Sequence, residues 1–318
     1  MRYLLGLAAA VLAMPLAAQA YPDRPIRMVI GFPPAGAADL VARAMAQRAT
    51  EQWRQQVIVD NRSGAGGTIG TELVARSIPD GYTLLFGSSS NLSIGPALQA
   101  NLPYRVERDF AAITLTTLIP NILVAHASVP VRSIKELIEY AKSKPQQLSY
   151  ASNGNATVSH IAGELFSQRA GIKLIHVPYK GAGPAINDAV GGHVQFLIGA
   201  ISTSLPHVRA GKLRGLAVTG AKRSSAVAEL PTIAESGFPG FEVVQWFGLA
   251  APAKTPADIV KRWNAISVEM YREHEFAERF RRQGLEPATG TPQEFTAFIR
   301  AETAMWAKVF KEVGIKLD

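Results

Sequence analysis

The sequence predicts an α/β protein of two lobes, each a mostly parallel sheet flanked by helices, on three observations. Short apolar runs alternate with helix-period segments from Ile26 onward. The alternation restarts after the stretch ITLTTLIPNILVAHASVP. The chain then closes with consecutive helical segments that need a sheet to pack against.

The elements follow in order. IRMVIGF is a strand, and AADLVARAMAQRATEQW is a helix in which Leu40, Val41, Ala44, Met45 and Arg48 recur at three-to-four residue spacing. QQVIVD is the second strand, GTIGTELVARSI the second helix and YTLLFGS the third strand, introduced by the turn Pro79-Asp80-Gly81. In the second unit SIKELIEYAKSKP is a helix capped by Ser133 and stopped by proline, LSYASNGN a strand and loop, and TVSHIAGELFSQRAG a helix ended by Gly171. KLIHVPY, VQFLIGA and LRGLAVTG are strands, with the short helix GAGPAINDAVGG after the first of them. Beyond VVQWFGLAAPAKTP the chain turns helical, and the economical solution is that it returns to the first sheet. That gives lobe 1 from residues 21–118 and 247–318 and lobe 2 from 119–246, joined near 115–122 and 243–249. A cleft between two such lobes is the default ligand site.

The first twenty residues, MRYLLGLAAAVLAMPLAAQA, carry one positive charge at Arg2, an uncharged run from Leu4 to Leu16 and the small-x-small triplet Ala18-Gln19-Ala20. This is the pattern of a signal peptide cleaved after Ala20, and the apolar run is too short to span a bilayer. With 47% hydrophobic residues and no second long apolar segment, the remainder is expected to be soluble and globular. Cysteine is absent, so disulfides and thiolate metal sites are excluded, and the six histidines are scattered. The net charge of +8 suits an anionic ligand, but the basic residues are dispersed singly and form no block of the kind nucleic-acid binders show.

In a parallel sheet, the loops at the carboxyl ends of the strands face the crevice. The helix starts that follow them present unpaired N–H groups and the positive end of the helix dipole, so they hold anions without a cationic side chain. Four loops stand out. In GFPPAGAAD the prolines stiffen the approach, Gly36 allows close backbone passage and the amides of Gly36, Ala37, Ala38 and Asp39 form a candidate carboxylate clamp. FGSSSNLSIGP offers the hydroxyls of Ser88, Ser89, Ser90 and Ser93 together with Asn91. SYASNGNATVSH brings Ser152, Asn153, Asn155 and Thr157 before a helix, with Thr157 or Asn155 as its cap and His160 as a support. HVPYKGAGP adds Tyr179, Lys180 and the glycines that start another helix.

Catalytic signatures are missing: there is no H-E-x-x-H, no G-x-S-x-G and no phosphate-loop lysine. Ser159 and His160 are adjacent, and helix neighbours do not face each other, so they form no dyad. The glycine cluster NRSGAGGTIG places Gly64, Gly66 and Ile69 at the positions where a dinucleotide fingerprint needs three glycines, so it is a tight strand-to-helix turn and no cofactor is expected.

Taken together, the blocks YPDRPIRMVIGFPPAGAADLVAR, VIVDNRSGAGGTIGTELVARSIPDGYTLLFGS, SNGNATVSHIAGELF, HVPYKGAGPAINDAVGGHV, AGKLRGLAVTG, LPTIAESGFPGFEV and WFGLAAPAKTP resemble the solute-binding receptors of tripartite tricarboxylate transporters, the Bug receptors. The resemblance implies a two-lobed periplasmic-binding-protein fold, type II-like, that captures a small organic acid (a dicarboxylate, tricarboxylate or aromatic carboxylate) and passes it to membrane permease subunits. It implies a periplasmic protein with no catalytic residue, acting as a monomer without nucleic acid. Its ligand carboxylate lies between Gly36, Ala37, Ala38 and Asp39 on one side and Ser152, Asn155, Thr157 and the Tyr179 loop on the other. Two departures matter. Ala35 stands where the family often has a second glycine. Gly199-Ala200, followed by Ile201, Ser202 and Thr203, stand where many members carry Asp-Asn, which leaves a small uncharged wall suited to a bulkier or more apolar acid. A ligand sensor for a membrane signalling protein and an exported α/β enzyme acting on an anionic substrate are the alternatives.

Overall fold

The short β-branched and apolar runs fold as strands, and the glycine turns between them fold the chain back. The computed structural model describes residues 21–155 and 157–313; the expected signal peptide, residues 1–20, lies outside the described residues. The first unit runs β1 (Ile26–Ile30), α1 (Ala37–Trp53), β2 (Val57–Asn61), α2 (Thr68–Ala75) and β3 (Thr83–Ser88). Then come two short helices, α3 (Gly95–Leu98) and α4 (Val106–Asp109), and the 17-residue strand β4 (Phe110–His126). The second unit comprises α5 (Ile134–Ser143), β5 (Ser149–Ser152), α6 (Val158–Ala170), β6 (Ile175–Pro178), α7 (Ala182–Val190), β7 (Phe196–Ala200), α8 (Ile201–Arg209) and β8 (Leu213–Val218). The chain returns through β9 (Val244–Pro252) to α9 (Ala257–Arg272), α10 (His274–Arg281), the two-residue β10 (Glu286–Pro287) and α11 (Pro292–Val313).

The strands share one path, β2-β1-β3-β9-β4-β7-β5-β6, with β10 and β8 also paired to β4. β1 pairs in parallel with β2 and β3, and β5 pairs in parallel with β6 and β7. Every antiparallel ladder involves β4 or β9. The β-α-β units thus build the outer part of each half. The two long strands stitch the halves together. β4 pairs with β9 from Phe110 to Pro120 and with β7 from Asn121 onward, so it passes from one half to the other between Pro120 and Asn121.

Local chemistry sets the helix ends. Ser133 caps α5 by accepting from the Glu136 amide at 3.1 Å, and Gly171 ends α6 at φ +61, where a side chain would be strained. The apolar faces then close on the sheet. One core joins α1 and α9 to β1 and β3 through Met28, Val41, Met45, Trp263 and Ile266, and another joins α5 and α6 to β4 and β7 through Leu137, Phe166, Leu123 and Phe196. The second core also draws in Trp306 and Phe310 from the end of α11 and Ile94 from the segment after β3. Among the described residues no helix is long and apolar enough to cross a membrane.

Two segments differ from the local reading. FGSSSNLSIGP is helical rather than a loop: Ser90–Ile94 form a π-helical turn that runs straight into α3. The Asn91 side chain explains it, accepting from the Ser88 amide at 2.7 Å and donating to the Thr71 hydroxyl at 2.6 Å, which folds the chain over immediately after β3. The segment after Ala200, left without an element by its periodicity, is helix α8.

Candidate functional site

The carboxyl ends of β1, β5, β6 and β7 converge on one cleft between the halves. Its inner compartment, about 40 Å³, is lined from one side by Phe32, Pro33, Pro34, Gly36, Ala37, Ala38 and Ser90, and from the other by Asn153, Thr157, Gly181, Ala182 and Ala200, with Gln245 and Phe247 of β9. A mouth of about 950 Å³ opens beside it, bounded by Gly31, residues 63–67, residues 98–101, Asn153 to Asn155 and Pro178 to Gly181. Phe32, Pro33, Asn153 and Gly181 border both spaces.

Four helices start at the inner compartment, and they differ in how their ends are satisfied. α6 is capped by Thr157, whose hydroxyl accepts from the His160 amide at 3.4 Å and donates to the Gly154 carbonyl at 2.7 Å. α1, α7 and α8 begin after Gly36, Gly181 and Ala200, and none of the three has a side-chain cap. The first intrahelical bond of α1 is Leu40 N–H to the Gly36 carbonyl, so the amides of Ala37, Ala38 and Asp39 lack an acceptor within the helix. Among the described residues, no Asp, Glu, Lys, Arg or His lines the inner compartment. Three bare helix N-termini therefore supply its positive potential.

The loop residues behind these amides are held firmly. The Asp39 carboxylate points back, accepting from the Ala35 amide at 3.1 Å, Arg43 Nε at 2.8 Å and Asn61 Nδ2 at 3.0 Å. Burial by itself raises its pKa, but those hydrogen bonds and the Arg43 charge outweigh burial and keep the group below the usual carboxylate range. Ala35 sits at φ +65, the left-handed region. A Cβ on Gly31 would lie 2.6 Å from Gly67 Cα, so the glycine cluster after β2 packs directly against the end of β1 and borders the mouth. Gly36 has φ −84, and a Cβ there meets nothing nearer than the Pro33 carbonyl at 3.8 Å, so no steric demand fixes its glycine.

In the facing loop Ser152 is fully buried, and its hydroxyl joins His176 Nε2 at 2.6 Å and accepts from the Gly154 amide at 3.2 Å. His176 stacks between Tyr150 and His160, with ring centroids 5.0 and 4.1 Å away. Burial, reinforced by His160, pushes the His176 pKa down to about 3, so the ring is neutral at ordinary pH.

The residues singled out from sequence fall into three places. Gly36, Ala37, Ala38 and Thr157 line the inner compartment, while Asn155 and Tyr179 border the mouth. The Tyr179 hydroxyl donates to Asp188 Oδ2 at 2.6 Å, and burial together with that carboxylate pushes its pKa up to about 12. Asp39, Ser88, Ser89, Ser152, Gly199 and Ser202 border neither space. Ser88 bonds Asn91, the Ser89 hydroxyl accepts from the Trp246 amide at 3.4 Å, Gly199 lies inside β7, and the buried Ser202 hydroxyl on α8 has no protein partner. Phe32, Ala182, Gln245 and Phe247 were not anticipated. Gln245 left one trace, as the lone polar residue in the apolar run VVQWFGLAA.

Two α/β halves joined by crossing strands and closing on a shared cleft define a class, the two-lobed solute-binding proteins. The chain matches the family described as the tripartite tricarboxylate transporter family receptor over residues 41–315, and it belongs to that family, whose members are solute-binding receptors rather than enzymes. It is 38% identical to Protein BugT of Bordetella pertussis, covering 98% of this chain and 96% of that one. Among solved structures it resembles the periplasmic binding protein BugD (35% identity, TM-score 0.88, 93% of this chain and 99% of that one). It also resembles the R. palustris protein Rpa4515 with adipate (35% identity, TM-score 0.91, 93% and 99%) and MatC from Rhodopseudomonas palustris with bound malate (30% identity, TM-score 0.85, 91% and 99%).

Proposed function

We propose that this receptor binds a small organic carboxylate in the cleft and delivers it to the membrane permease of a tripartite tricarboxylate transporter. The observation that carries the reading is the set of three uncapped helix N-termini, α1, α7 and α8, that open on an inner compartment without charged side chains among the described residues. Amides at such helix starts hold an anion by hydrogen bonds and dipole together, and a dry site strengthens both. Malate and adipate in the related structures support a carboxylate as the ligand class.

Ligand pockets for small molecules run to roughly 300–1,000 Å³, so the inner compartment of about 40 Å³ enlarges when an acid enters. In this reading residues 21–118 with 247–318 form one lobe and 119–246 the other, and β4 and β9 flex where they cross. A signal peptide over residues 1–20 places the mature receptor in the periplasm, as a monomer. Native mass spectrometry of protein purified from its own host, followed by calorimetry with malate, adipate, citrate and benzoate, tests the assignment. Retention or binding of an acid at 1:1 stoichiometry is expected, and binding of none of them removes the carboxylate reading.

A further inference from the structure

Asn121 is fully buried, yet among the described residues neither its Oδ1 nor its Nδ2 has a hydrogen-bond partner. Its backbone is fully engaged: the amide donates to the Thr219 hydroxyl at 2.9 Å and the carbonyl accepts from the Thr219 amide at 2.9 Å. A buried amide side chain without partners is costly, and native proteins retain one where a water or a ligand completes it.

Its position says which space it serves. Along β4, residues 119 and 121 project from the same face, and directly paired residues on neighbouring antiparallel strands share that face. Ile119 pairs with Gln245 on β9, and Asn121 pairs with Ala200 on β7. Gln245 and Ala200 both line the inner compartment, one on each side of the step where β4 leaves one half and enters the other. Asn121 itself borders neither space, so its amide lies directly behind the cleft floor, one layer back from Gln245 and Ala200, at the crossing point of the two halves.

We infer that Asn121 is a ligand-reading residue behind the cleft floor, reached when the compartment enlarges around the acid and donating through Nδ2 to an oxygen of that acid, directly or through one fixed water. This rests on the carboxylate reading of the cleft. Because the amide sits at the crossing strand, its bond is made between the halves and favours their closure on the ligand. In the empty protein the group is a liability that occupancy relieves, a pattern in which function is kept at the expense of stability.

The test compares Asn121→Leu, a near-isosteric apolar replacement, and Asn121→Ala with the wild-type protein, using malate and adipate as probes in calorimetry and thermal melting of the ligand-free proteins. For whichever probe the wild type binds, both variants are expected to bind about tenfold more weakly or worse, the scale of one lost charge-assisted hydrogen bond. The ligand-free melting temperature of at least one variant is expected to equal or exceed that of the wild type. Affinity within twofold of wild type in Asn121→Leu overturns the inference. If the wild type binds neither probe, the carboxylate reading fails for those acids on the wild type alone, and the melting data decide: a value at or above wild type in either variant supports a liability at Asn121, and a fall in both overturns it.

Discussion

Gly181 and Pro33 meet across the cleft. A Cβ built on Gly181, which holds φ +116, would stand 2.9 Å from both Cδ and Cγ of Pro33, and a second approach brings Gly66 within 3.2 Å, by the same measure, of the Asn155 carbonyl. The two halves therefore touch through glycines, where the absence of a side chain lets one loop lie on the other. Gly181→Ala is expected to hold the loops apart and weaken acid binding about tenfold, because lost closure removes the contacts of one side. Gly183→Ala, which meets nothing within 4 Å, is the control. Calorimetry with small-angle scattering checks it; unchanged affinity in Gly181→Ala would show that the glycine contact plays no part in closure.

Ala35 occupies the left-handed region at φ +65 with its amide bound to the Asp39 carboxylate. That conformation costs a residue with a Cβ roughly 1 kcal/mol relative to glycine, partly offset by glycine's extra freedom in the unfolded chain. Ala35→Gly is expected to be neutral or to stabilise by up to about 0.5 kcal/mol. Asp39→Ala removes three hydrogen-bonded partners at once and should destabilise by about 1–3 kcal/mol. Urea melts of both variants give the comparison.

Gly36 tolerates a Cβ on steric grounds, yet it borders the inner compartment. Gly36→Val should therefore fold with a melting temperature close to wild type and lose acid binding, since its branches fill space the ligand needs. A variant that binds normally would remove the start of α1 from the ligand clamp.

Burial holds His176 near pKa 3, far below the ordinary histidine value of about 6.5. Between those values the unfolded chain binds a proton that the folded chain refuses, so stability is full above about pH 6.5 and falls as pH drops toward 3. His160, lowered chiefly by burial, acts in the same direction. His176→Gln is expected to remove roughly 1–2 kcal/mol of the stability difference between pH 7 and pH 4.5, allowing for the partial exposure of the ring. Denaturant titrations at the two pH values measure it, and identical pH dependence in variant and wild type would contradict the buried neutral ring.

Much of this molecule was legible locally. The alternation of apolar runs and helix-period segments marks the outer strands and their helices, Ser133 and Thr157 mark helix starts, and Gly171 marks an end, because each depends on side chains a few residues apart. The residues of GFPPAGAAD and SNGNAT were legible as crevice loops for the same reason. The helical turn at Ser90–Ile94 was not, since Gly95-Pro96 suggests a break and the bond from Asn91 to Thr71 spans 20 residues.

What the sequence determined by itself was the run of outer strands and their helices, the two α/β units and the helix start after Gly36. Only the tertiary structure decided that Gln245 and Ala200 share one floor with Asn121 directly behind it, and that Ser88, Ser89 and Ser152 turn into supports. Strand periodicity says that a side chain points to one of two faces. Which residues then stand beside it is set by the ladders that β4 makes with β9 and β7, whose partners are far apart in the chain and are joined only when both halves have folded.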